Sequence, residues 1–179
     1  MENIKDCAKF RGKFEIEVYD NATDMNLISK SECHNIITDE GLNRILNTVM
    51  NVQTQVNPWY CSIFESDSTP AASWTYHAYA DTLVTEWTQF AETNRVAYVE
   101  AASSAQSTTN SANKAVFTAT VGAKTLYGAA LVSVTTISDH AAGANNVLLC
   151  AGVFGTPQPV IATNVVNLTY TITSADDGI

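Results

Sequence analysis

Polar and apolar side chains alternate strictly from Ala8 to Tyr19. Even positions carry Ala8, Phe10, Gly12, Phe14, Ile16 and Val18, and odd positions carry Lys9, Arg11, Lys13, Glu15, Glu17 and Tyr19. A period of two over this length predicts a half-buried β-strand. Asp20, Asn21, Thr23 and Asp24 supply turn chemistry. The apolar pairs Leu27-Ile28 and Ile36-Ile37 then predict a returning strand, hence a hairpin.

The period changes at Thr38, a good helix N-cap followed by Asp39 and Glu40, whose charge suits the positive end of a helix. Leu42, Ile45, Leu46, Val49 and Met50 recur at spacings of three and four. This predicts one helix over residues 39–52, its apolar stripe packed across an open edge or end of a β core. On that expectation a charge at Leu46 unfolds the protein.

Short strands dominate the rest. Trp59–Phe64 reads as a strand covered on both faces, and residues 85–90 as a short strand with Trp87 inside. Further strands are predicted over 95–100, 115–121, 126–134, 147–154 and 165–173, with Gly128 permitting a bulge. Residues 103–113 and 139–146 are polar connectors. The predicted fold is all-β, a jelly-roll-like antiparallel β-sandwich with one helix. Its domain would span residues 35–179, and residues 1–34 would form a hairpin extension, a candidate assembly arm.

Composition narrows the function. The chain has 179 residues, only 15% of them charged, and a net charge of −9. No basic footprint exists for a nucleic-acid backbone. Between Val96 and Ala175 the only charged residues are Glu100, Lys114, Lys124 and Asp139. So long a neutral stretch suits a subunit inside an assembly better than a free monomer. Cys7, Cys33, Cys61 and Cys150 form no CxxC pair, and no signal-peptide pattern follows Met1. We expect free, mostly buried thiols in a protein made in a reducing cytoplasm. No apolar run is long enough to span a membrane.

Catalytic constellations are hard to find. Ser138, Asp139 and His140 are triad residue types, but they are neighbours in sequence, whereas a triad converges from separate elements. Cys33-His34-Asn35 lacks any supporting signature, and Gly152 to Gly155 lacks the pattern of a dinucleotide loop. The carboxylates at Glu65/Asp67 and Asp176/Asp177 read as solvated loop and tail. No cofactor or metal is expected, and no enzymatic activity.

Two interaction candidates stand out. Residues 65–80 form a long loop containing Trp74, Tyr76 and Tyr79. These aromatics either anchor an interface or fold back over the sandwich. Lys9, Arg11 and Lys13 lie on one face of the first strand. They either pair with an acidic partner or form an ordinary outward face.

The order of short motifs resembles a family of tailed-bacteriophage virion proteins that decorate, or cement, the capsid. The pieces are NIITDEGLN at 35–43, WYCSIF at Trp59–Phe64, FAETNR at 90–95, TNSA at 109–112, AVFT at Ala115–Thr118, LYGA at 126–129 and VNLTYTI at 166–172. Cys61-Ser62 and Ala97 depart from the family pattern. The resemblance implies a jelly-roll-like fold, no enzymatic activity and many copies on the capsid surface. The implied partners are the major capsid protein and copies of itself as a trimer or dimer. Other readings are a tail, neck or head-fibre component, or a carbohydrate-binding sandwich using the aromatics near Trp74.

Overall fold

The computed structural model describes residues 8–137, 139–143 and 145–176. Among these residues, ten strands form two five-stranded antiparallel sheets. The first sheet holds β1 (Ala8–Tyr19), β2 (Leu27–His34), β10 (Val165–Asp176), β6 (Ser107–Thr109) and β7 (Ala115–Thr118), in the order β2-β1-β10-β6 with β7 also on β10. The second runs β3-β9-β8-β4-β5, where β3 is Ile36–Ile37, β9 Leu148–Val160, β8 Lys124–Val132, β4 Trp59–Phe64 and β5 Val96–Tyr98. The chain passes between the sheets after β2, β5, β7 and β9, the alternation of a jelly-roll-like sandwich.

The inner core follows from the period of two. Phe14, Ile16 and Val18 of β1 are fully buried, as are Val166, Leu168 and Tyr170 of β10. They share one cluster with Ile63, Leu126 and Leu131 of the second sheet. Each such side chain contributes about 1.5–3 kcal/mol on leaving water. The Phe14 and Tyr170 rings lie 4.5 Å apart across the β1–β10 pairing. Gly128 sits at a register shift in the β8–β9 ladder, as the sequence suggested.

Residues 8–34 are not an appended arm. β1 pairs with β10 along its whole length and with β2 from Lys13 onward, so this segment supplies two strands and part of the core. Residues 85–90 form isolated bridges, Phe64 to Glu86 and Phe90 to Ala119, instead of a strand. Trp87 is nevertheless buried in the inner core, its backbone N–H donating to the Ile63 carbonyl at 2.8 Å.

The second sheet is covered on both faces. Ala129 and Leu131 of β8 face inward, and Ala130 and Val132 face a second cluster with Leu148 and Ala151 of β9. Its lid is the long loop after β4, which contains α2 (Tyr76–Ala78) and a π-helical turn, Tyr79–Leu83.

Helix α1 (Asp39–Met50) begins where the sequence places it. Thr38 Oγ1 accepts the Gly41 N–H at 3.0 Å and caps it. Its orientation is the reverse of the expectation. The residues turned inward are Gly41 and Arg44, with Ile45 partly buried against the core, while Leu42, Leu46, Val49 and Met50 face out. A charge at Leu46 therefore has no reason to unfold the chain.

Candidate interaction surface

The three loop aromatics are interior. Trp74 is 9% exposed, and Tyr76 and Tyr79 are 0% exposed. Ala130, Val132, Leu148 and Ala151 leave an apolar face on the second sheet that only large rings from outside the sheet can cover. Trp74, Tyr76 and Tyr79 thus fold back over the sandwich and are not available as anchors for a partner.

A buried polar network holds this lid down. Tyr79 Oη and Ser62 Oγ are 2.6 Å apart, and Ser62 Oγ donates to Glu86 Oε1 at 2.6 Å. Arg95 donates from Nε to Glu86 Oε1 at 2.7 Å and from Nη2 to Oε2 at 2.6 Å, with its side chain fully out of solvent. Its Nη1 donates to the carbonyls of Val134 and Thr136 at 2.9 and 2.8 Å and to Tyr76 Oη at 3.1 Å. The Tyr76 hydroxyl in turn donates to the Asp139 carbonyl. Burial works against the Arg95 charge, but the bidentate bonds and charge of Glu86 outweigh it and make the guanidinium more basic than usual. Burial pushes the Tyr79 hydroxyl well above the ordinary tyrosine range. Tied to one another and closed to solvent, these groups hold the lid on the second sheet.

The basic face is also altered by its neighbours. Lys13 Nζ lies 3.2 Å from both Glu32 and Glu15, and these two carboxylates raise its pKa. Lys114 Nζ similarly meets Glu17 at 2.6 Å. Lys9 and Arg11 are exposed, but they share their face with Glu15 and Glu17, so it is mixed in sign. β1 is no open lateral edge over most of its length either: only residues 8–12 lack a β2 partner.

The remaining chemical candidates do not converge. Burial pushes the Cys33 thiol up to about 12, which removes the thiolate a nucleophile needs. Cys33, Cys61 and Cys150 are free thiols; Cys7 and Ser138 lie outside the described residues. Among the described residues, no three His, Cys, Asp or Glu side chains are grouped to hold a metal.

What sequence reasoning missed is the outer face of α1. The helix is pinned by its polar and small residues. Glu40 Oε2 accepts the N–H of Tyr76 at 2.8 Å and of Leu148 at 2.7 Å. Thr38 Oγ1 caps the helix and contacts the Leu148 carbonyl at 2.5 Å. Gly41 lies so close to β9 that a Cβ there would stand 2.3 Å from the Leu149 carbonyl oxygen. This clamp turns the apolar stripe outward: Leu46, Val49 and Met50 are 59%, 72% and 78% exposed, and Val52 just beyond is 99% exposed. They are the four most exposed large apolar side chains among the described residues. The signal was present in Gly41, whose missing side chain marks a close helix–strand approach on the face opposite Leu46.

No family model matches the chain, and no curated protein or solved structure matches it.

Proposed function

We propose that this chain is a non-enzymatic structural protein of a tailed-bacteriophage virion, a decoration protein that bridges and stabilises major capsid subunits on the capsid surface. The observation that carries the reading is the exposed, uncharged apolar surface from Leu42 to Val52 on a sandwich whose lid is tied down from inside. Such a surface is a liability on a solitary protein and an asset on a subunit. The ordered motif resemblance and the sparsely charged half from Val96 to Ala175 support the same class. The expected partners are the major capsid protein and copies of this chain, as a trimer or dimer.

A tail, neck or head-fibre role uses the same physical properties and differs in location and copy number. The carbohydrate-binding alternative loses its basis, because Trp74, Tyr76 and Tyr79 have no free ring face to offer a sugar. The test is co-sedimentation of the purified chain with expanded capsids lacking their decoration layer. Saturable binding in fixed ratio to the major capsid protein is the expected result. No binding at any ratio, with the chain folded, would refute the reading.

A further inference from the structure

We propose that the outward face of α1 is a self-association surface, on which two copies of this chain pack their α1 helices antiparallel about a twofold axis near Leu46. The inference deepens the self-association part of the capsid reading and rests on it.

Three observations single out a second copy as the occupant. The first is charge. The chain carries −9 overall, so any two copies repel unless they meet through a neutral patch. From Leu42 to Met50 the outward residues of α1 are Leu42, Asn43, Leu46, Asn47, Val49 and Met50, none of them ionisable; the exposed Asp39 stands seven residues from Leu46 at the end of the helix, away from the axis, and the one basic residue, Arg44, is turned inward. The second is register. Leu42 and Met50 are equidistant from Leu46, so a twofold operation sets Leu46 against its own copy and Leu42 against Met50 at both ends. Isologous contact requires such self-complementarity. Apolar positions four, three and one residues apart form a ridge that packs into the groove of a second helix. A helix of 12 residues offers about 18 Å of it.

The third observation is area. The exposed apolar area of the five side chains from Leu42 to Val52, on the order of 600 Å² per copy, caps what a symmetric pair can bury at about 1,200 Å² from both copies, a small interface that fits a weak dimer. Val52 adds a separate mark. It holds φ of 55°, a left-handed conformation costly for a β-branched residue, and in doing so presents its whole side chain beside Met50.

Sedimentation equilibrium on the full chain tests this, at concentrations up to about 200 μM, above a micromolar Kd. The expected species has twice the chain mass of 19.3 kDa. Leu46→Glu places two carboxylates at the axis and should weaken the dimer by about 100-fold or more, with an unchanged circular dichroism spectrum because the side chain is exposed. Val49→Glu, further out on the same face, is the second variant and should act alike. In a Cys7→Ser background, Leu46→Cys should form an intermolecular disulfide on mild oxidation, and an exposed control, Val121→Cys, should not. A chain that stays monomeric throughout overturns the proposal. An oligomer that survives both glutamate variants overturns the α1 surface and leaves self-association standing. A dimer that dissociates in both variants but ignores capsids upholds the surface and refutes the capsid reading.

Discussion

Removing the Glu86 carboxylate should cost much of the stability of the fold. In Glu86→Ala the Arg95 guanidinium keeps its charge, because its donors remain tied to Val134, Thr136 and Tyr76 in a site closed to solvent. It loses two charge-assisted bonds, of 2.6 and 2.7 Å, and its only carboxylate partner among the described residues. The Ser62 hydroxyl loses its acceptor in the same step. Breaking a buried pair from one side costs about 3–5 kcal/mol. A domain of this kind has about 5–15 kcal/mol in total, and for its size the melting temperature should drop by roughly 6–20 °C. The assay is urea unfolding followed by tryptophan fluorescence, since Trp74 and Trp87 are both buried and the former lies in the lid. The double variant Glu86→Leu/Arg95→Met should lose less than either single change, because it leaves no orphan charge. A loss below about 1 kcal/mol in Glu86→Ala would refute the reasoning, for the pair would then behave as a solvated surface contact.

Further expectations concern the clamp, the lid and the buried acids. Gly41→Ala drives a methyl group into the Leu149 carbonyl, so a loss of at least about 2 kcal/mol is expected in denaturant unfolding; a neutral result would mean that α1 does not lie against β9. Trp74→Ala should cost about 3–5 kcal/mol as a core truncation, and capsid binding by the fraction that remains folded should be unchanged. Cys33 and Cys150 are both held neutral by burial, their pKa values raised from 9.0 to about 12. Their folded values lie above the unfolded ones, so the stability they confer is intact below pH 9.0 and is lost as pH rises towards about 12. Melting temperatures scanned from neutral to alkaline pH should therefore be level and then fall, and a rise above pH 9.0 would contradict that sign.

The sequence and the structure agree where one periodicity has one consequence. Strict alternation from Ala8 to Tyr19 leaves a strand no second interpretation, and Thr38 with its acidic followers marks where α1 starts. They part where a pattern is symmetrical between two outcomes. The stripe from Leu42 to Met50 says that one face of the helix is apolar, but not whether that face meets the core. Gly41 decides it, because β9 approaches so closely that only a residue without a side chain fits. The lid aromatics pose the same ambiguity, and the strands beneath them hold the answer. Residues 129–132 and 148–151 are apolar at both parities, so the sheet must be covered on its outer face. Of the two neighbours of β1, the hairpin partner β2 was legible and β10 was not. Pairing with β10 joins residues 8–19 to residues 165–176, and no local pattern encodes a contact that distant.

Electron cryo-microscopy of capsids incubated with this chain measures the central proposal most directly. A decoration protein would appear as sandwich-shaped density on the outer surface, repeated across the shell in fixed stoichiometry to the major capsid protein, with α1 of neighbouring copies in contact. Density confined to a single vertex or the tail, or a bare shell at saturating concentration, would contradict it.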